Sequence, residues 1–202
     1  MVPYTSADIL SYAPIAKENL TKGQMSVAQL NAASIQYSDN TAANLLLAAS
    51  GGPGGLTAYL RSIGDTVTRL DRDEPSLNSN IPGDLRDTTT PRAMALTLQK
   101  LLVGDKLSPA SKEQFKALMF GNTTGDTRLR AGLDKSWMVG DKTGTCDNGA
   151  TNDVGIVYPR GLPPFIIAVF YTGSASSNEA RSEVIAEVAR ITRRHMPKAK
   201  VE

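Results

Sequence analysis

The chain has 202 residues, 41% apolar and 21% charged, enough to bury a substantial core in one domain or two small ones. A net charge of +2 is too mild to argue for nucleic acid, and no apolar run approaches the roughly 18 to 20 residues of a membrane span. One cysteine closes no internal disulfide and one histidine leaves no His/Cys cluster, so no metal or other cofactor is expected.

Residues 1 to 24 carry short polar and apolar pieces around Tyr4, Tyr12 and Pro14 with no clean period, and read as loop with one short helix near Ser6 to Ser11. Secretion is not legible here, since Met1 to Ala7 lack the charged and apolar regions of a signal peptide. Ser26 and Gln29 have capping-box spacing ahead of Val27, Leu30, Ala33 and Ile35, which predicts a helix ending near Tyr37. Asp39 or Asn40 can cap a second helix, which Gly51, Gly52 and Pro53 stop; a third runs from about Gly55 to Ile63 and ends at Gly64. From Asp65 to Thr89 no period survives, and a loop of that length inside a compact chain is usually functional. Arg69, Arg72 and Arg86 alternate there with Asp71, Asp84 and Asp87, candidates for the polar contacts such a loop needs.

Thr90-Pro91 and Ser108-Pro109 open two further helices, stopped at Gly104 and Gly121, and a polar turn with Gly125, Asp126 and Arg128 follows. The pattern then changes to strands at Lys135 to Thr145, Thr151 to Tyr158 and Phe165 to Thr172. Asn148-Gly149 turns the first pair, so an antiparallel meander is expected. Asn178 can cap a last helix whose Val184, Ile185, Val188, Ala189 and Ile191 form a stripe able to cover the sheet. His195 reads as a helix-terminal charge, and Arg193, Arg194, Lys198 and Lys200 as a helix end and solvated tail. The fold class is mixed α/β, with a helical region over 1–126 holding the long loop 65–89, and sheet plus terminal helix over 127–202.

Lys142, Thr143 and Thr145 stand at the end of the first strand, a rigid place from which to present a cation and hydroxyls to an anion. A nucleotide-binding loop is excluded, because it needs Gly directly before the Lys and Asp141 intervenes. Two more motifs precede this one: Ser38-Asp39-Asn40 in a helix link, and Glu74-Pro75-Ser76-Leu77-Asn78 in the long loop. Taken singly each has an ordinary reading: Ser38 and Asn40 as helix caps, Glu74 as a surface acid, Lys142 as a solvated strand end, Tyr12 as packing. Together, with Arg69-Leu70-Asp71-Arg72 leading into Glu74 and Asp87 to Pro91 leading out, they resemble the class A serine β-lactamases. Ser-Asp-Asn and Lys-Thr-Gly are recognised marks of that class and of the penicillin-binding proteins, and the resemblance runs from about Tyr4 to Met196.

The resemblance implies a β-lactamase/transpeptidase-like fold, β-lactams as small-molecule ligands, antibiotic resistance, a periplasmic or secreted location, and neither nucleic acid nor membrane as partner. A β-lactam offers a carboxylate and a strained amide, so its hydrolysis needs an anion site, a nucleophile, a proton donor to nitrogen and a base that activates water. By resemblance Lys142, Thr143, Gly144 and Thr145 receive the carboxylate, and the Thr145 N–H is one oxyanion donor. Ser38 relays the proton, Asn40 holds the substrate's side-chain amide, Glu74 with Asn78 forms the deacylating pair, and Tyr12 flanks the cleft. Arg128 stands where some members supply a guanidinium, while the Arg that many carry near Thr151 is absent. Arg72 and Asp87 are expected to tie the long loop. Thr145-Cys146 resembles the class A carbapenemases, in which that cysteine bonds a second one before the nucleophile; the other reading of Cys146 is a buried thiol.

The family's nucleophile lies in a Ser-x-x-Lys motif, and no Ser here has Lys three residues on. The expectation is therefore an N-terminally truncated member, lacking that segment, the first helix and two strands, and inactive alone. Such a chain needs the missing segment in trans, or else serves as a non-covalent β-lactam or carboxylate binder. A transpeptidase relative is disfavoured by Glu74 with Asn78.

Overall fold

The computed structural model describes residues 1–197, so Lys198 and Lys200 of the basic cluster lie outside the described residues. Its contacts divide the chain into two compact units, Met1–Thr90 and Pro91–Glu202.

In the first unit, strands β1 (Val2–Pro3) and β2 (Gln24–Met25) pair antiparallel around helix α1 (Pro14–Glu18) and two 3-10 turns, Ser6–Asp8 and Leu20–Lys22. The expected loop over 1–24 is thus more ordered than its sequence suggests. The reason is tertiary: Tyr4, Ala13, Ala16 and Met25 are buried with Leu30, Ala33 and Ala42, and the Tyr4 hydroxyl donates to the Ala16 carbonyl at 2.8 Å. Helix α2 (Val27–Tyr37) opens on the expected box, the Gln29 N–H donating to Ser26 Oγ and the Ser26 N–H to Gln29 Oε1. It ends at Ser38, whose φ of 55° is left-handed, and Asp39 caps α3 (Asn40–Ala49) through the Ala42 N–H. Helix α4 (Gly52–Ser62) starts ahead of the expected Gly55, because Pro53 falls in its first turn, where a missing N–H costs no helical bond. The loop that follows contains only a short 3-10 turn, Ser76–Ser79, among the described residues.

In the second unit, α5 (Pro91–Leu102) and α6 (Pro109–Phe120) are followed by α7 (Leu129–Gly132), a one-turn helix where only a polar turn was expected. Strands β3 (Met138–Cys146), β4 (Ala150–Tyr158) and β5 (Phe165–Tyr171) form the meander in the order β3-β4-β5. Asn148 and Gly149 both have positive φ, 51° and 70°, as a tight hairpin turn with right-handed strand twist requires. The sheet is covered by α8 (Asn178–His195), capped by Ser177 rather than Asn178, since the Ser177 Oγ accepts from the Ala180 N–H. Ile185 and Ala189 of its expected stripe are buried with Leu129, Leu133 and Val157. Val184 and Ile191 are not: they remain 39% and 44% exposed, so the covered face is narrower than the stripe. Among the described residues no strand pairs with the far edge of β5, and each of its seven residues is half-buried.

Helices α5 and α6 belong with this unit because they pack on the sheet, α5 against β4 and β5 and α6 against β3. No described helix is long and apolar enough to cross a membrane.

Candidate active site

The Ser38-Asp39-Asn40 link is fixed by the one of its three side chains that cannot reach solvent. Asp39 is fully buried, and its carboxylate accepts N–H bonds from Ile15 (2.9 Å), Ala16 (2.8 Å) and Ala42 (2.9 Å), capping α1 and α3 at once. Both helix starts thereby become one rigid piece, which leaves Ser38 and Asn40 half-buried on either side of it. The Asn40 N–H donates to the Tyr12 carbonyl at 3.0 Å, so the Tyr12 segment is tied to the same link while its ring stays 53% exposed.

Glu74 is held by its backbone as well as by its side chain. Asn44, one helical turn after Asn40 on α3, donates from Nδ2 to the Glu74 carbonyl (2.8 Å) and accepts the Glu74 N–H at Oδ1 (2.9 Å). Asn78 Nδ2 then donates to Glu74 Oε2 at 2.5 Å. Asn44 was not singled out from the sequence; its signal was the four-residue spacing from Asn40, which puts both amides on one helix face. The peptide bond between Glu74 and Pro75 is cis.

The ends of the long loop are stitched by the expected acids and bases. Arg72 Nε meets Asp87 Oδ2 at 2.6 Å, and Asp87 Oδ1 accepts the N–H groups of Asp71 and Arg72. Asp71 returns the bond by accepting the Asp87 N–H, while Arg69 pairs with Asp71 and Arg86 with Asp84. Hydrogen bonds from Arg69 and from the Asp87 backbone hold the Asp71 carboxyl down at about 2, and those from the Arg86 side chain and backbone do the same for Asp84.

In the second unit the Lys-Thr-Gly stretch lies within β3, with Thr143 opposite Asp153 and Thr145 opposite Thr151 on β4. Lys142, Thr143 and Gly144 are half-buried, and Thr145 is exposed. The Thr143 hydroxyl is 2.6 Å from that of Thr124, and Lys142 Nζ donates to the Thr143 carbonyl at 2.7 Å. Arg128 is only 5% exposed; it donates to the carbonyls of Gly144 (2.9 Å) and Asn152 (2.7 Å) and to the Thr145 hydroxyl (2.6 Å). Burial lowers its pKa and nearby Asp153 offsets part of that. Its charge is thus delivered to the strand end through Thr145. Cys146 is a half-buried thiol on the same strand.

Beneath this strand end lie two carboxyls that the sequence reading did not mark. Asp141 and Asp153 are fully buried. Asp141 faces Gly155 in register, two residues from Asp153 on the same face of β4. Asp141 Oδ1 accepts from Asn122 Nδ2 (2.9 Å) and Arg130 (2.6 Å), and Asp153 Oδ2 accepts the Leu129 N–H (3.1 Å). Among the described residues, one oxygen of each carboxyl has no hydrogen-bond partner. Burial pushes both pKa values up, and the charge of Asp141 adds to the effect on Asp153, which is pushed up to about 8. The protonated form of Asp153 is thus favoured near neutral pH, while Asn122 and Arg130 favour the charged form of Asp141 against its burial. The packing here is close: a Cβ on Gly125 would stand 1.8 Å from Asp141 Oδ2.

Known proteins resemble this chain over nearly its whole length. Residues 1–196 match the Beta-lactamase enzyme family. The chain is 47% identical over 190 residues to β-lactamase CTX-M-97 of Escherichia coli and 50% identical over 192 residues to the carbapenem-hydrolysing β-lactamase KPC of Klebsiella oxytoca. In both cases the match covers 94% of this chain and 65% of the relative, so the chain spans just under two thirds of their length. Among solved structures, the ancestral Gram-negative class A β-lactamase matches with a TM-score of 0.95 at 53% identity, over 96% of this chain and 75% of that one. The putative class A β-lactamase PenP of Rhodopseudomonas palustris matches at 0.94 and 48% identity, over 96% and 74%. With the helices, the antiparallel sheet and three motifs in family order, the chain belongs to the class A β-lactamase family.

Proposed function

We propose that the chain carries the deacylation and carboxylate-binding parts of a serine β-lactamase, which opens β-lactam amides through an acyl-enzyme, confers resistance to β-lactam antibiotics, and works in the periplasm or outside the cell. The observation that carries this is Glu74: its backbone is clamped twice by Asn44 and its carboxylate is bonded to Asn78, the arrangement a base needs to hold and activate one water. Ser38 serves as proton relay and Asn40 as amide holder, with Tyr12 flanking. Lys142, Thr143, Gly144 and Thr145 receive the substrate carboxylate, and Arg128 acts through the Thr145 hydroxyl. Arg72 and Asp87 fix the loop that carries Glu74, and the Thr145-Cys146 pair supports a carbapenemase-like subgroup.

Acylation needs a serine with a base beside it, and none of the serines in the 202 residues has Lys three positions on. The chain by itself is accordingly a binder, active when a Ser-x-x-Lys segment is supplied in trans or in line. Intact-mass spectrometry of the chain with a slowly hydrolysed penicillin is expected to show no adduct; a stoichiometric adduct on Ser38 would refute this. With the segment supplied, Glu74→Ala is expected to stall at the acyl-enzyme, with release slowed by about 10²- to 10⁴-fold and acylation less affected. Steady-state turnover at the parental rate would remove Glu74 from the mechanism.

A further inference from the structure

Where α5 ends and α6 begins, the second unit has a concavity of about 320 Å³, its lining including Val103, Pro109, Lys112, Glu113, Tyr158 and Pro164. Leu102 is buried, but Val103, which lines the same hollow, is 51% exposed, so part of the apolar lining is open to solvent. The Tyr158 ring packs against Phe120, centroid to centroid 5.9 Å, and the Lys116 ammonium stands over it, 5.9 Å from its centroid. Two cations therefore share the rim with one carboxylate. Glu113 is bonded to Lys116 at 2.8 Å, which also raises the Lys116 pKa, while Lys112, one turn earlier on α6, is bonded to the neutral Gly104 carbonyl at 2.7 Å. Lys112 thus carries a charge that no carboxylate among the described residues balances, in the lining of an apolar hollow of ligand-pocket size.

We propose that this hollow binds one medium-chain alkyl carboxylate, its chain laid against Val103, Pro109 and Pro164 and its head group paired with Lys112. The carboxylate replaces the Gly104 carbonyl as the Lys112 partner, and Gly104, which is exposed, passes to water. The site lies wholly within residues 91–202 and uses none of the groups assigned above to β-lactam chemistry.

The test is titration of the 202-residue chain with sodium octanoate, octan-1-ol and octylammonium, followed by amide NMR. Octanoate is expected to bind saturably at one site and to shift Val103, Lys112 and Tyr158, with the alcohol and the ammonium at least about tenfold weaker. Lys112→Glu is expected to weaken octanoate by about tenfold or more and to leave octanol unchanged. Lys112→Gln, which removes the charge without reversing it, should lie between the two and guards against a folding artefact. Equal binding of octanol, loss of octanoate binding in Lys142→Ala instead of Lys112→Glu, or no saturation up to about 10 mM, a concentration far above that of a specific site, would overturn the proposal.

Discussion

Glu74 and Lys142 are presented by opposite means. Glu74 stands in a loop without regular pairing, and bonds from the Asn44 amide, the Asn78 amide and the Arg72–Asp87 stitch hold it in place. Lys142 stands on a strand whose position is set by sheet register, with its neighbourhood tuned from below by Asp141, Asp153, Arg128 and Arg130. The loop keeps its acids ionised by giving them donors near solvent, so Asp71 and Asp84 sit low; the sheet buries its acids, so Asp141 and Asp153 sit high. Loop residues can thus change one at a time, whereas the sheet's buried charges form one balance that fails as a unit.

Arg130→Met tests the sheet side hardest. Arg130 is bonded to Asp141, a carboxylate with no exposure, and also donates to the Asn122 carbonyl. Removing the guanidinium leaves a buried charge with the Asn122 amide alone, and a loss of about 3–5 kcal/mol is expected in denaturant unfolding. A loss below about 1 kcal/mol would mean that Asp141 takes up a proton at little cost and that Arg130 is not what keeps its charge buried. On the loop side, Asn44→Ala removes two bonds to the Glu74 backbone and should cost about 1–3 kcal/mol. Amide exchange should accelerate at Glu74 and Asn78 but not at Thr143. Uniform loss of protection across both regions would erase the contrast.

These supports also differ in how far the sequence exposed them. Helices α2, α3, α5 and α6 announced themselves through Ser26, Asp39, Pro91 and Pro109, because caps act within one turn and leave a local signature. The same was true of the hairpin at Asn148-Gly149 and of the alternating Arg and Asp residues of the loop. Helix α1 left no such trace: its donors at Ile15 and Ala16 are satisfied by Asp39, far along the chain. Asp141 could be read only as the residue that breaks a nucleotide-loop pattern, and Asp153 as one polar residue in a strand. Their role depends on burial and on Arg130 and Asn122, neither of which is a strand neighbour in sequence. Local pattern marks caps, turns and motifs, and long-range packing supplies the groups that hold them.

Asp153→Asn probes the smallest effect and the one most specific to the sheet. With a folded pKa raised to about 8, the native state carries a proton on Asp153 that the unfolded chain releases near 4. The native form binds the extra proton across that interval, so this group makes stability fall as pH rises from about 4 to about 8 and flatten above it. Asn has the shape of the protonated carboxyl and no charge to gain. At pH 5 to 6 the variant should therefore match the parent within about 1 kcal/mol. As pH rises toward 8.5 the parent should lose ground and the variant should not, so the difference moves in the variant's favour. Acids such as Asp71 and Asp84, held low by their donors, contribute the opposite trend below about pH 4 in both chains and cancel in the comparison. Urea unfolding of both chains at pH 5.5, 7 and 8.5 measures it. Parallel pH profiles would mean that Asp153 is ionised in the folded protein, and that the sheet, like the loop, keeps its carboxylates charged.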